Sequence, residues 1–135
     1  MNSAELEVLE ANAAFYRAFA QGNALAMSRL WSEQLPVACI HPGWDVLDGR
    51  EEVLESWRQI LEPGNSPEVA CSLAEARVLG DVAYVTCRES IDDARLAVTN
   101  VFAREGGGWR LVLHQATPIA PGQARPEPTG GGLQN

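Results

Sequence analysis

The 135-residue chain contains no lysine: its ten basic residues are all arginine, and eighteen aspartates and glutamates leave a net charge of −8. A surface this acidic, with no basic stripe, repels phosphate backbones, so no nucleic-acid partner is expected. No apolar run approaches the ~20 residues that cross a bilayer, so no membrane partner is expected either. Met1-Asn2-Ser3-Ala4-Glu5 offers neither a basic nor an apolar leader segment, and a cytoplasmic location is the expectation. Cysteine and histidine are scarce. Cys39, Cys71 and Cys87 lie inside apolar stretches, as buried reduced thiols would, rather than in a disulfide frame. With two histidines and no C-x-x-C or H-x-x-x-H spacing, no metal is expected. Phosphate-loop, dinucleotide and G-x-S-x-G signatures are missing, so no cofactor is expected.

What is present is ordinary globular material. Hydrophobic residues make 46% and charged residues 21% of one domain's length. Residues 3–21 read as a helix: Leu6, Leu9, Ala13 and Tyr16 recur at helical spacing, and Val8, Phe15 and Phe19 widen the stripe. Asn2 or Ser3 caps it and Gly22 closes it. A shorter helix over 24–31 carries Leu25, Leu30 and Trp31. Val37–His41 is a short strand ended by Pro42-Gly43. Asp48-Gly49-Arg50-Glu51 has the spacing of a capping box and opens a third helix bearing Val53, Leu54, Trp57, Ile60 and Leu61.

Beyond Pro63–Pro67 the period changes from helical to alternating. Four strands follow, over 69–78, 82–91, 94–104 and 109–117, separated by Gly80-Asp81, Asp92-Asp93 and Gly106–Gly108. Such short separators require antiparallel neighbours. Helices followed by a meander describe an α+β domain over 1–118, with a Pro/Gly-rich, flexible tail over 119–135.

Closing Asp92-Asp93 as a two-residue hairpin pairs Ile91 with Ala94, Glu89 with Leu96, Cys87 with Val98, Val85 with Asn100 and Ala83 with Phe102, all on one face. That face is apolar except for Glu89 and Asn100. A carboxylate and an amide on an apolar surface are what orients a small molecule in a pocket. Val85, Cys87 and Phe102 would be its walls. The opposite face, with Tyr84, Thr86, Arg88, Arg95, Ala97 and Thr99, is wet or meets a second subunit. The last strand closes in either of two registers. One turns His114 inward beside Val112 and Ala116, the other Leu113 and Gln115. Trp44 follows the Pro42-Gly43 turn at a rim, while Trp31 and Trp57 lie on helix faces directed at the sheet.

The order of these elements, together with Phe15-Tyr16-Arg17-Ala18-Phe19, His41-Pro42-Gly43-Trp44, Leu47-Asp48-Gly49-Arg50-Glu51, Thr99-Asn100-Val101-Phe102 and Trp109-Arg110-Leu111-Val112, resembles the NTF2-like superfamily and its SnoaL-like group over residues 5–118. The resemblance implies a cone: three helices packed on a curved, mostly antiparallel sheet around an interior pocket. It includes isomerases, polyketide cyclases, dehydratases, ligand-binding domains and assembly modules, so fold alone does not give the chemistry. In its isomerase branch a carboxylate before a proline acts as general base. His41 before Pro42 holds that place here, and imidazole is a competent base at neutral pH. Tyr16 matches the tyrosine that steadies an oxyanion, and Asn100 stands near the second oxyanion group. Three readings follow. One is a small-molecule binder using Glu89, Asn100, His41 and Tyr16, with Trp31, Trp44, Trp57 and His114 on the walls. Another is an acid–base enzyme with His41 as base and Glu89 or Tyr16 as partner. The third is an assembly module. Each is compatible with a homodimer through the outer sheet face.

Overall fold

A computed structural model of the chain describes residues 2–65 and 68–126. Helix α1 (Ser3–Gln21) begins in a complete capping box, with the Asn2 side chain accepting from Glu5 N–H and Glu5 reaching back to Asn2 N–H. Its buried line runs Val8, Asn12, Phe15, Phe19, at i, i+4, i+7 and i+11. Leu6 falls off that line and is 56% exposed, so the stripe is set one position away from the one its leucines suggest.

Helix α2 (Ala24–Leu30) stops one residue short of Trp31, which is extended and bridges to Leu111. Strands β1 (Ala38–Ile40) and β2 (Leu47–Asp48) form a small antiparallel pair. Because Asp48 belongs to β2, it cannot cap α3 (Arg50–Ile60). Gly49, at φ 96°, takes the cap position with no side-chain bond, and the expected box is absent. Glu52 accepts from Asp48 N–H instead, tying strand to helix.

Strands β3 (Val69–Leu79), β4 (Val82–Ile91), β5 (Ala94–Glu105) and β6 (Gly108–Pro118) form the antiparallel meander, and the sheet order is β2-β1-β6-β5-β4-β3. All five pairs expected across the Asp92-Asp93 hairpin are present. The parallel addition of β1 to β6 (Cys39 beside His114) joins the two halves and was not legible from turn lengths. A bulge in β3 between Ser72 and Glu75 puts Leu73 at φ 57° and bends the strand over α1. A second irregularity pairs Val101 with Leu113 but Phe102 with Leu111. Val112 is the extra residue. The inward set is therefore Trp109, Leu111, His114 and Ala116, not a continuous alternation through Val112. After β6, residues 119–126 form no helix or strand, although Ile119 N–H reaches Arg95 O. The rest of the expected tail, 127–135, lies outside the described residues.

Among the described residues no helix is long and apolar enough to cross a membrane. All three cysteines are free, with Cys39 and Cys87 buried and Cys71 partly so. Tryptophans from α3 and the α2 end fill the space between helices and sheet: Trp31 and Trp57 are fully buried, and Phe15 packs edge-on against Trp57 at 5.5 Å.

Candidate functional site

Glu89 and Asn100 face the interior, at 1% and 0% exposure. β4 supplies Glu89, β5 Asn100 and β6 His114, directly opposite Asn100. From α1, Tyr16 reaches across and donates its hydroxyl to Glu89 Oε2 at 2.6 Å, while lying 3.5 Å from Cys87 Sγ. His114 Nε2 stands 3.8 Å from the same Glu89 oxygen. That is too long for a direct hydrogen bond, but close enough for one substrate atom to touch both.

The amides behind His114 decide where its proton sits. Asn12 Nδ2 points to Cys71 Sγ at 3.9 Å, leaving Asn12 Oδ1 to accept from Asn100 Nδ2 at 2.8 Å. Asn100 Oδ1 is then an acceptor only, so His114 carries its hydrogen on Nδ1 and donates it at 2.6 Å. Nε2 is left with a free lone pair beside Glu89. Asn12 is the residue sequence reasoning missed. Its signal was a polar side chain centred on the apolar line of a helix.

His41 is held differently. Ser56 Oγ donates to Val53 O at 2.7 Å, so it accepts from His41 Nε2–H at 2.9 Å. The proton of His41 is committed to that bond. Its ring packs edge-on against Trp44 and Trp57, each 4.9 Å away, and lies 6.3 Å from the ring of His114.

These groups border one cavity of about 170 Å³. Phe19, Trp57, Ile60 and Ile91 make apolar walls, Glu89, His114 and His41 supply the polar atoms, and Trp44, 45% exposed, stands at the mouth. Tyr16 and Asn100 sit one layer behind and orient the wall residues. Trp31, Val85, Cys87 and Phe102 do not reach the cavity. They are core, with Cys87 serving only as a neighbour of Tyr16. A larger groove of about 540 Å³ lies on the other side of α1 over the β3 bulge, bordered by Leu9, Ala13, Cys71 and Ala74. Among the described residues no carboxylate or imidazole borders it. Tyr16 lines this groove while its hydroxyl is held on Glu89.

Burial sets the charge states. It lowers His41 to about 4 and, with a smaller push from His41, His114 to about 3, so both imidazoles are neutral at physiological pH. Burial also raises Glu89 above the usual carboxylate range, with the Tyr16 hydrogen bond opposing. Burial, then the Glu89 charge, raises the Tyr16 phenol, so it remains a donor. Cys39, behind Trp57, is pushed up to about 12 by burial and stays a thiol. Among the described residues no three His, Cys, Asp or Glu side chains converge to hold a metal.

Comparison with known proteins gives the family of the chain. Residues 8–121 match the SnoaL-like domain model. Among curated proteins, the F-box protein SKIP8 of Arabidopsis thaliana is 28% identical over 112 residues, covering 82% of this chain; the chain spans about half that protein's length, 48%. Among solved structures, a candidate dehydratase of the NTF2-like family from Streptomyces avermitilis is 34% identical with a TM-score of 0.78, covering 85% of this chain and 95% of that one. A candidate calcium/calmodulin-dependent protein kinase type II association domain from Thiobacillus denitrificans is 30% identical with a TM-score of 0.73, covering 82% and 93%. An α+β cone with an inward carboxylate, amide and imidazole, matched along most of its length, makes this chain a member of the SnoaL-like domain family within the NTF2-like superfamily.

Proposed function

We propose that the protein binds a small, uncharged, mostly apolar molecule in the cavity over Glu89 and His114. The observation that carries this reading is the composition of the wall: six apolar side chains around three titratable groups that burial holds toward their neutral forms. Among the described residues no arginine lines it, so an anionic ligand would meet no countercharge there. The volume of about 170 Å³ is near the ~150 Å³ of an apolar cavity that accepts benzene. It lies below the ~300–1,000 Å³ typical of drug-sized ligands. A single ring or a short branched chain fits.

A second reading, proton transfer on the bound molecule, is favoured by the 3.8 Å separation of Glu89 Oε2 and His114 Nε2. Glu89 accepts from Tyr16 on Oε2, so when protonated it presents Oε1–H to the cavity, while His114 presents a lone pair. This is a general acid and a general base on one substrate. His41 donates Nε2–H to Ser56 and keeps a lone pair on Nδ1, but it is His114 that stands 3.8 Å from Glu89, so in this reading the base is His114, and His41, the expected base, stays on the wall beside it. A small β-hydroxy carbonyl compound suits the pair. His114 takes the proton α to the carbonyl, its electron pair forms the double bond, and the β C–O bond breaks as Glu89 protonates the departing oxygen to water. The dehydratase name of the Streptomyces avermitilis relative supports this class.

We place the protein in the cytoplasm, in keeping with three free thiols. We also infer a homodimer through the outer sheet face around Tyr84, Thr86, Arg88, Ala97 and Thr99. Native mass spectrometry of gently purified protein tests the binding reading. We expect a small neutral adduct on the wild type and none on Ile60→Trp, whose larger side chain fills the cavity. A bare wild type, or an adduct that survives Ile60→Trp, contradicts it.

A further inference from the structure

The outer face of the sheet carries a second site, independent of the cavity. Thr86 on β4 faces Thr99 on β5, which faces Gln115 on β6. In the adjacent row Arg88 faces Ala97, which faces Thr117. The small Ala97 leaves a trough between its two tall neighbours. The segment after β6 returns over that trough and places Arg125 on its far wall, and the resulting groove has a volume of about 480 Å³. Arg88 donates one N–H to the Cys87 carbonyl, 3.3 Å away, and keeps the rest of its guanidinium for the groove. Among the described residues Arg17, Arg50, Arg58, Arg77 and Arg104 make ion pairs while Arg29, Arg88, Arg95, Arg110 and Arg125 do not, and of these five Arg88 and Arg125 border the groove. No acidic side chain of β4, β5 or β6 borders the groove. On a chain of net charge −8 this is a local reversal of sign.

We propose that the groove binds a small organic anion, a compact molecule with a carboxylate or phosphate group. The two guanidiniums clamp the charged group, and the hydroxyls of Thr86, Thr99 and Thr117 with the Gln115 amide serve its remaining oxygens. The proposal also bears on the sheet-face homodimer. A two-fold contact sets a patch against itself, so Arg88 and Arg125 of one copy would approach those of the other. Like charges so placed oppose association, and an anion in each groove removes that opposition. Dimer formation through this face therefore depends on the anion.

Isothermal titration of the full chain with citrate and, separately, inorganic phosphate tests the site, with erythritol as uncharged control. Citrate heats with phosphate silent assign a carboxylate ligand, and the reverse a phosphate. Arg88→Gln and Arg125→Gln, both at half-buried or exposed positions, are each expected to weaken binding about tenfold or more with an unchanged far-ultraviolet circular dichroism spectrum. Sedimentation is expected to show the dimer fraction rising with the anion that binds. The proposal fails if neither anion gives heat, or if Arg88→Gln binds as tightly as the wild type. A dimer that is complete without any anion and excludes citrate and phosphate also overturns it.

Discussion

Glu89→Gln is expected to make the protein more stable at pH 8 and, on the proton-transfer reading proposed above, to cut that transfer steeply. Glutamine keeps an oxygen for the Tyr16 hydroxyl, so the 2.6 Å bond survives, but it carries no charge to be desolvated at a site 1% exposed. Removing that burden is worth on the order of 1–2 kcal/mol. For a chain of this size that raises Tm by about 3–6 °C. On the proton-transfer reading, loss of the acid is expected to lower the rate of dehydration of a β-hydroxycyclohexanone, followed by absorbance of the conjugated enone, by ~100-fold or more. Glu89→Leu is the contrasting variant. It removes the same charge but strands the Tyr16 hydroxyl, and is expected to be less stable than Glu89→Gln by about 1–3 kcal/mol. A Glu89→Gln protein less stable than the wild type at pH 8 contradicts the claim that the carboxylate is held there at a cost.

Acid is the second large lever. Both imidazoles have folded-state pKa values below the ordinary 6.5, at about 4 for His41 and about 3 for His114. Between those values and 6.5 the unfolded chain binds more protons than the folded one, so stability is full above pH 6.5 and is lost as pH falls toward 4 and then 3. Glu89 has the opposite sign. Its pKa is raised, so its contribution is present below the ordinary carboxylate value and lost as pH rises through the folded one. It offsets part of the histidine loss during acidification. Fully expressed, the histidine contribution is on the order of 8 kcal/mol, a large share of the ~5–15 kcal/mol that holds a domain together. Urea midpoints should therefore fall steadily from pH 6.5, before the exposed carboxylates titrate. His41→Gln, which keeps a donor for Ser56, should flatten the upper part of that fall. A midpoint constant from pH 7 to pH 4.5 contradicts buried neutral imidazoles.

The sheet was legible because turn chemistry pins its register. Asp92 accepts a left-handed φ of 52°, and Gly106 and Gly107 take φ of 60° and 81°, as a two-residue hairpin demands. Once Ile91 is opposite Ala94, parity carries Glu89 and Asn100 inside without further information. His114 was harder, since one extra residue at Val112 reverses the alternation and nothing local marks it. The tryptophans could not be sorted by pattern for a different reason. Trp31 and Trp57 have the same apolar character and both are fully buried, but of the two Trp57 borders the cavity, and that follows from the seating of its ring against His41 and His114. The Asp48 cap failed because a long-range pairing, Ala38 with Asp48, claimed the residue first. The cavity itself is what remains after Phe15, Phe19 and Trp57 are seated, so its size follows from three dimensions and not from pattern.

The chain carries its own reporters for the central claim. Its four tryptophans are Trp57 on the cavity wall, Trp44 at the mouth, and Trp31 and Trp109 elsewhere. In a titration with cyclohexanone followed by ¹⁵N–¹H correlation of the indole N–H groups, the signals of Trp57 and Trp44 should move together and saturate, while those of Trp31 and Trp109 stay fixed. Equal movement of all four, or none at Trp57, would mean that no small molecule enters the space above Glu89 and His114.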